Sequence, residues 1–257
     1  MFTDTYGPWA VVAGASEGMG AQFATQLSAR GLKVVLIARR EQVLTELART
    51  LKGETKCLAL DLALPDAAAR IADFTRELDV GLVVYNAALS PIGPFVTQSL
   101  EENLRAIDVN VKTPTALAHH FAPRLVKRGK GGLVLLSSLT AFQGSPYVST
   151  YGATKSYNLA LAEGLWAELR GTGVDVLSVC AGATATPNLL KSVKQAPPGM
   201  QQPEEVVREA LDALGRGPVL IPGGFNRLAS FLMRRLLPRR LTIQIMAGQT
   251  RKLQLPP

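Results

Sequence analysis

The sequence contains little cysteine and no long apolar run. Its two cysteines, Cys57 and Cys180, cannot build a disulfide framework, so we expect the protein to work in a reducing compartment. No apolar stretch is long enough for a membrane-spanning helix, and the first residues lack the basic and apolar regions of a signal peptide. These absences argue against a disulfide-stapled or membrane-spanning fold and predict a cytoplasmic protein.

Charged residues are also scarce, at 19% of the 257 residues, while hydrophobic residues make up 47%. This composition is typical of a globular chain with a substantial core and excludes a disordered one. No internal repeat or linker divides the chain. The two histidines, His119 and His120, have no partners at metal-ligand spacing, so we expect them to pack or to lie at the surface, and we predict no metal site.

Acidic residues are absent from the C-terminal segment. Residues 225–257 contain seven basic residues and no acid, whereas the other 224 residues contain 21 basic and 20 acidic ones. A nucleic-acid-binding domain would spread its basic charge over the fold, so the net charge of +8 does not indicate nucleic-acid binding. Apolar residues recur in this segment near helical spacing, namely Leu228, Phe231, Leu232, Leu236 and Leu237. They predict a basic amphipathic helix, with Pro238 starting a second one. We expect this extension to pack on the protein itself or on a neighbouring subunit, with weak contact to a membrane surface as the alternative.

The chain does contain a regular alternation of apolar runs and helical segments. The predicted strands cover residues 9–13, 33–38, 56–60, 82–86, 133–137, 174–180 and 219–221. Predicted helices lie between them, including 21–30, 65–78, one from 101, 151–170 and 204–214. This order predicts an α/β fold with a single-domain, Rossmann-type, doubly wound parallel sheet of about seven strands flanked by helices. Ligands bind such sheets at the carboxyl ends of the strands.

Three glycines follow the first predicted strand. Gly14, Gly18 and Gly20 precede a helix, and glycine there lets the backbone approach a pyrophosphate at the helix N-terminus. The second strand is followed by Arg39 and Arg40 instead of the acid that would bind a ribose hydroxyl. Planar guanidinium groups suit a 2′-phosphate, and basic residues are otherwise poorly placed at a helix start. The pattern predicts NADP(H) as the cofactor.

Tyr151 and Lys155 are four residues apart, which places a phenol and an ammonium on one face of a helix. A tyrosine ionises near pH 10, and bringing its pKa to about 7 takes ~4 kcal/mol, which a neighbouring cation in a partly dry site can supply. The spacing alone is more typical of an ordinary exposed pair at a helix start. Whether this pair transfers protons must be inferred from the rest of the sequence.

Taken together, residues 8–222 resemble the short-chain dehydrogenase/reductase family in its shorter single-domain form. The resemblance rests on Gly14-x-x-x-Gly18-x-Gly20, Asn86-Ala87-Ala88, Asn110, Ser138 placed thirteen residues before Tyr151, Tyr151-x-x-x-Lys155 and Gly182-x-x-x-Thr186. It implies a dinucleotide-binding catalytic domain over residues 1–224, with a substrate lid at 186–202 and the basic residues 225–257 as its extension. It also implies a homodimer or homotetramer.

The resemblance implies a role for each matching residue. Tyr151 would be the general acid in carbonyl reduction and the general base in alcohol oxidation, while Lys155 would bind the nicotinamide ribose and lower the tyrosine pKa. Ser138 would hydrogen-bond the substrate oxygen, and Asn110 would hold a water that connects Lys155 to solvent. The implied contacts to NADP(H) come from Gly14, Ser16, Gly18, Met19, Gly20, Arg39, Arg40, Asp61, Leu62, Asn86, Ala87, Tyr151, Lys155, Thr184 and Thr186.

Apolar residues in and opposite the lid predict a bulky, mostly apolar ketone or secondary alcohol as the substrate. The expected wall consists of Leu89, Phe142, Tyr147, Leu189, Leu190, Val193 and Met200. Several stretches, among them Tyr6-Gly7-Pro8-Trp9 and Thr186-Pro187-Asn188-Leu189-Leu190, are also similar to bacterial 7β-hydroxysteroid dehydrogenases, which favours a hydroxysteroid. The alternatives are a 3-oxoacyl thioester reductase of fatty-acid or polyketide type and a non-catalytic NADP-binding sensor.

Overall fold

A parallel sheet of seven strands forms the centre of the computed structural model, which describes residues 1–193, 195–251 and 253. The strands are β1 (Trp9–Ala13), β2 (Lys33–Ala38), β3 (Thr55–Ala59), β4 (Val80–Tyr85), β5 (Gly131–Ser138), β6 (Val174–Ala181) and β7 (Val219–Leu220). Their order is β3-β2-β1-β4-β5-β6-β7, and every neighbouring pair is parallel. The predicted doubly wound sheet is confirmed.

Helices cover both faces of the sheet. Those of the described residues are α1 (Phe2–Tyr6), α2 (Gly18–Ala29), α3 (Glu41–Thr50), α4 (Ala67–Phe74), α5 (Leu100–Ile107), α6 (Thr113–Arg128), α7 (Ser149–Glu168), α8 (Pro187–Ser192), α9 (Pro203–Ala213), α10 (Gly224–Arg235) and α11 (Arg239–Thr250). Side chains of α2, α3 and α9 form one core layer, and those of α4, α6 and α7 form the other.

The strands are apolar on both sides because both sides are covered. In β1, Ala10 and Val12 point into the first core layer, while Val11 and Ala13 point into the second. This alternation follows the two-residue period of a strand, and continuous apolar runs are what a parallel sheet with two helical layers requires. The apolar runs in the sequence therefore became central strands.

The helix predicted from residue 101 is interrupted. It consists of α5, a π-helical turn (Asp108–Lys112) and then α6. A π turn inserts one extra residue, which leaves backbone groups without their usual helical partners. The hydroxyl of Tyr85 donates to the carbonyl of Val109 in this turn. The interruption rotates Asn110 inward, where it is fully buried.

Other differences concern element ends and short helices. The helix predicted for 65–78 covers only α4, and α7 starts two residues before Tyr151. The predicted lid, residues 186–202, contains α8, a helix that was not predicted from the sequence. Pro187 occupies its first turn and the Thr186 hydroxyl accepts a hydrogen bond from the Leu189 N–H, both common features of a helix start. Both helices predicted for the C-terminal segment are present, and Pro238 caps the second. No helix among the described residues is long and apolar enough to cross a membrane.

Candidate active site

The predicted site residues gather at the carboxyl edge of the sheet. Gly14 follows β1, Arg39 follows β2 and Asn86 follows β4, so they share one edge because all the strands are parallel. Ser138 was expected just after β5 but is its last residue, since the strand continues one residue further in register with Ala181. The strand order reverses between β1 and β4, which is where ligands bind in doubly wound sheets.

Lys155 is held rigidly against β5. Its Nζ donates to the carbonyl oxygen of Leu136 at 2.6 Å, and the Ser137 hydroxyl donates to the Lys155 carbonyl at 2.7 Å. The residue is 2% exposed, and burial lowers the pKa of its ammonium to about 8. Sequence analysis did not identify Ser137, although this residue directly precedes Ser138 in the chain.

Tyr151 lies one helical turn before Lys155, with the lysine Nζ 5.6 Å from the centre of its ring. Burial raises the pKa of the phenol, while a hydrogen bond with the Ser138 hydroxyl acts in the opposite direction and is the weaker influence. The lowered tyrosine pKa expected from sequence is therefore absent in this arrangement. The Lys155 ammonium donates one hydrogen bond to the Leu136 carbonyl, and the phenol with its raised pKa is protonated at neutral pH.

Asn110 connects the loop after β4 to helix α7. Its Nδ2 donates to the Leu89 carbonyl at 2.8 Å and to Thr154 Oγ1 at 3.0 Å, and its Oδ1 accepts from the Leu89 N–H at 2.8 Å. Both amide protons are thus used for positioning. A water held as the resemblance implies would have to use the remaining lone pair of Oδ1. Thr154 was missed by sequence analysis, because its spacing from Asn110 carries no local signal.

The glycine loop is tightly packed and suits a dinucleotide. Gly14 has φ +85°, and a Cβ on Gly20 would lie 1.9 Å from the Gly14 carbonyl oxygen. No side chain of the described residues caps the N-terminus of α2, so its first N–H groups are free to donate hydrogen bonds to a phosphate. Asn86 Nδ2 donates to the Gly14 carbonyl at 2.9 Å, while its buried Oδ1 has no partner among the described residues. The loop therefore offers free helix N–H groups to the pyrophosphate of a cofactor, while Asn86 Oδ1 is left to accept a hydrogen bond.

The two arginines after β2 differ in their surroundings. Arg40 pairs with Glu17 at 2.9 Å, whereas Arg39 is exposed and has no ion-pair partner among the described residues. Asp61, at the end of the next strand, is partly buried, which disfavours its charge, but the Ala63 N–H and the Arg105 guanidinium outweigh this and hold its pKa below the usual range. Arg39 is thus the cation best placed for a 2′-phosphate. The Arg40–Glu17 pair is exposed and weak enough to exchange partners.

The remaining predicted cofactor residues make packing contacts or hydrogen bonds within the protein. Met19 packs on the first core layer, and Ala87 packs on the second, in which Leu62 is buried. The Thr184 hydroxyl donates to the Gly182 carbonyl at 3.1 Å, and Thr186 caps α8. Ser16 lies partly buried in the glycine loop itself.

Two predicted wall residues are covered by arginines from the C-terminal helices. The Arg234 guanidinium lies 4.0 Å from the centre of the Phe142 ring. Arg251 Nε donates to the Tyr147 hydroxyl at 3.0 Å, and Tyr147 has an unusual φ of +65°. Sequence analysis missed both arginines, because partners about a hundred positions apart leave no spacing signal.

Most of the other predicted wall residues belong to the predicted lid itself. Leu89 is partly buried next to Asn110, and the lid contributes Leu189, Leu190, Val193 and Met200, of which Leu190 is the most exposed at 51%. Cys180 is fully buried, and burial raises the pKa of its thiol to about 11, so it behaves as a small core residue. His120 packs edge-on against Phe121, in agreement with the predicted packing role.

Comparison with known proteins identifies relatives that share this architecture. The family model of short chain dehydrogenases matches residues 8–197. A 7β-hydroxysteroid dehydrogenase of Clostridium sardiniense is 33% identical, over 88% of this chain and 89% of that protein. A very-long-chain 3-oxoacyl-CoA reductase of Neurospora crassa is 30% identical, over 81% of this chain and 65% of that protein.

Solved structures extend the similarity to three dimensions. A 7β-hydroxysteroid dehydrogenase structure superposes with a TM-score of 0.89 and 32% identity, covering 95% of this chain and 98% of that chain. A short-chain dehydrogenase from Sphingobium yanoikuyae in complex with NADPH has a TM-score of 0.77 and 30% identity, covering 90% and 96%. The NADPH bound in that relative agrees with the predicted NADP(H).

Proposed function

We propose that this chain, which belongs to the short-chain dehydrogenase/reductase family of oxidoreductases, uses NADP(H) to interconvert a bulky apolar ketone and its secondary alcohol. The observation that carries this proposal is the joint placement of Ser138, Tyr151 and the buried Lys155 at the sheet edge that also carries a glycine loop able to hold a dinucleotide. A sensor that only bound NADP(H) would not need a buried lysine next to a protonated tyrosine.

NADP(H), when bound, supplies or accepts the hydride. The residues of the chain supply the proton and the stabilisation of charge. In the direction of ketone reduction, Tyr151 donates its phenolic proton to the carbonyl oxygen, and its raised pKa keeps that proton available at neutral pH. Ser138 hydrogen-bonds the same oxygen as negative charge develops on it. In alcohol oxidation the phenolate accepts the proton, so that direction is favoured by higher pH.

Lys155 and Asn110 keep these groups in position. The Leu136 carbonyl and the Ser137 hydroxyl fix Lys155, and the remaining protons of its ammonium would bind a ribose hydroxyl of the cofactor and resupply Tyr151. Asn110 fixes the loop at Leu89 against Thr154, three residues beyond Tyr151. A rigid frame of this kind lowers the entropic cost of bringing the reacting groups together.

The preference for NADP(H) over NAD(H) is proposed from Arg39. Its guanidinium is exposed at the carboxyl end of β2 and has no acidic partner among the described residues. A planar guanidinium can bind a 2′-phosphate through two hydrogen bonds. No acid stands at this strand end to bind a ribose hydroxyl instead. The Sphingobium yanoikuyae relative, solved with NADPH, supports the same choice.

For the substrate we propose a hydroxysteroid-type ketone. The predicted wall combines two aromatic rings, Phe142 and Tyr147, with apolar lid residues, and such a wall suits a rigid apolar molecule. The similarity to 7β-hydroxysteroid dehydrogenases extends over 88% of this chain in sequence and 95% of it in structure. The second candidate is a 3-oxoacyl thioester, which the Neurospora crassa relative supports over a smaller share of its own length.

The two candidates are separated by one kinetic comparison. The purified chain is assayed with NADPH against oxosteroids with the ketone at different ring positions and against 3-oxoacyl thioesters of increasing chain length, and kcat/KM is determined for each. We expect a preference of at least about tenfold for an oxosteroid, since a rigid molecule loses less freedom on binding. A clear preference for a thioester would overturn the steroid assignment. Silence across both panels with tight NADPH binding would favour the sensor.

A further inference from the structure

The C-terminal helices turn an apolar surface outward. On α10, Asn226 and Ser230 are buried, whereas the large apolar side chains of α10 and of the residue after it are 41–66% exposed, namely Phe225, Leu228, Phe231, Leu232 and Leu236. At about 100° per residue, these apolar positions lie on the side of the helix away from the two buried ones. On α11, Thr242 is buried while Leu241 and Ile245 are exposed. These seven apolar residues are called the tail surface below.

Polar contacts fix this orientation. Asn226 Nδ2 donates to the Gly199 carbonyl at 3.1 Å, and Arg227 pairs with Glu209 of α9 at 2.9 Å. Turning the apolar side inward would break these contacts and leave buried polar groups without partners, which is unfavourable. Packing on the protein itself, as expected from the sequence, therefore accounts for the polar side of α10 and leaves its apolar side in contact with solvent.

The predicted lid is joined to the C-terminal helices at two points. Val193, directly after α8, forms an antiparallel bridge with Leu253, and the Gly199 carbonyl accepts the hydrogen bond from Asn226. The lid also exposes an apolar side chain of its own, since Leu190 of α8 is 51% exposed. The tail surface and the lid over the candidate site thus form one contiguous part of the molecule.

This part of the chain is basic and contains no acid. Residues 186–202 have two lysines and residues 225–257 have seven basic residues, while the other 207 residues contain 19 basic and 20 acidic ones. The net positive charge of the chain therefore comes from these two segments. Arg235, Arg239 and Arg240 are exposed next to the tail surface, and none of them has an ion-pair partner in the part of the chain that the structure describes.

The C-terminal helices also border the predicted substrate entrance. Arg251, at the end of α11, donates from Nε to the Tyr147 hydroxyl at 3.0 Å. The Ile243 side chain of α11 lies against Gly144, where an added Cβ would be 3.8 Å from it. Tyr151, the proposed general acid, is only four residues beyond Tyr147. A partner that covered the tail surface would therefore lie close to the entrance.

We propose that the tail surface docks on an anionic phospholipid bilayer. Its apolar side chains gain free energy by leaving water for the boundary between headgroups and acyl chains, and the arginines beside them attract anionic headgroups. A second copy of the same surface is a poorer partner, because it brings the same cations and no acid. The docking uses no residue of α5, α6 or α7, so those helices remain available for contacts between copies of the chain.

This docking goes beyond the proposed reaction and does not rest on it, since an inactive chain would bind the bilayer equally well. One consequence does rest on the proposed function. A bulky apolar ketone dissolved in the lipid would reach the entrance at Tyr147 directly from the bilayer. Vesicle binding and ketone reduction are measured separately, so failure of the one proposal is distinguishable from failure of the other.

Co-sedimentation of the full-length chain with lipid vesicles tests the docking. Binding to phosphatidylglycerol vesicles should be at least about tenfold stronger than binding to phosphatidylcholine vesicles and should weaken as salt is added. Phe231→Glu should lower the binding by about tenfold or more, because it places a carboxylate in the tail surface. Phe74→Glu, on α4 and 36% exposed, is the matched control and should bind like the wild type. A wild type that does not sediment with either vesicle, or a Phe231→Glu variant that binds like it, would overturn the proposal.

A pair of charge variants tests whether the arginines act through their position. Arg239→Gln/Arg240→Gln should weaken binding to phosphatidylglycerol vesicles by about tenfold or more. Arg49→Gln/Lys52→Gln removes the same charge from two exposed residues at the end of α3 and is the matched control, which should keep most of the binding. Equal losses in the two variants would show that only the net charge matters and would overturn docking through the tail surface.

Sedimentation velocity without lipid distinguishes the bilayer from a second copy of the chain. The wild type and Phe231→Glu should have the same mass, with circular dichroism confirming that the variant is folded. A lower mass for Phe231→Glu, with Phe74→Glu unchanged, would show that a second copy covers the tail surface. That result would overturn the proposal.

Discussion

Residues 1–223 and the C-terminal helices follow opposite rules of burial. In the larger part, which we call the body, the strands and the inner faces of α2, α6 and α9 bury apolar side chains and leave charge outside. In α10 and α11 the buried positions are polar, such as Asn226 and Thr242, and large apolar side chains face outward. Amphipathic spacing thus predicts a helix in both regions, but it does not tell which face is turned to the protein.

The two regions also contribute different residues to the candidate site. The groups that we propose to transfer and relay the proton belong to the body, on β5 and α7. The C-terminal helices contribute arginines that lie on predicted wall residues, namely Arg234 on Phe142 and Arg251 on Tyr147. We therefore expect changes in the body to act on turnover and stability, and changes in the C-terminal helices to act on substrate range and membrane binding.

The largest expected effect is on turnover. Tyr151→Phe keeps the ring and its packing but removes the transferable proton, so kcat should fall by about 100-fold or more with NADPH binding and the melting temperature nearly unchanged. Arg235→Gln in the C-terminal helices is the control and should keep kcat. Retention of a tenth or more of the wild-type kcat by Tyr151→Phe would refute the assignment of the general acid.

The contrast in burial predicts unequal costs for the same substitution. Phe121 is completely buried and Phe231 is 58% exposed. Phe121→Ala should lower the free energy of unfolding by about 3–5 kcal/mol. Phe231→Ala should change it by no more than about 0.5 kcal/mol when measured at protein concentrations low enough to keep the chain dissociated. Denaturant unfolding followed by circular dichroism measures both, and similar losses would contradict the described burial.

The next prediction concerns the choice between NADPH and NADH by Arg39, which follows β2. Arg39→Asp removes a charged hydrogen-bond donor and offers a carboxylate to a ribose hydroxyl, so the ratio of kcat/KM for NADPH over NADH should fall by about tenfold or more. Arg40→Gln tests whether its pair with Glu17 leaves it free to contribute and should have a smaller effect. A wild-type enzyme that used NADH as well as NADPH would show that Arg39 does not select the cofactor.

The last prediction is a pH dependence of stability. The pKa of Lys155 is about 8 in the folded chain and 10.5 for an ordinary lysine, so the unfolded chain binds more protons between these values. The cost of keeping this ammonium buried is thus present in full below pH 8 and is relieved as the pH rises toward 10.5. Lys155→Met lacks this dependence, so the stability of the wild type should rise relative to the variant across this window. Thermal unfolding of both proteins at several pH values measures it, and a constant difference would contradict the lowered pKa.

Much of the fold and of the candidate site followed from local patterns. The apolar runs, the glycines after the first strand and the four-residue spacing of Tyr151 and Lys155 are short-range features, and short-range features are readable from one sequence. The placement of Gly14, Asn86 and Ser138 at one edge also followed, because parallel strands align their ends.

The π turn that contains Asn110 could not be predicted, because such a turn has no clear local signature and here contacts Tyr85, a residue of strand β4. The raised pKa of Tyr151 also differed from the expectation. Spacing alone indicated that a cation would be near the phenol, but only the tertiary structure committed that cation to the Leu136 carbonyl and buried the ring.

The sequence by itself determined that the chain forms a doubly wound sheet with a dinucleotide loop and a tyrosine–lysine pair, since these depend on periodicity and on residue types at fixed spacing. Only the tertiary structure decided which face of the C-terminal helices is buried. That choice rests on hydrogen bonds from Asn226 to Gly199 and on an ion pair from Arg227 to Glu209, and the free energy of such contacts depends on groups that are distant in the chain and adjacent only once it has folded.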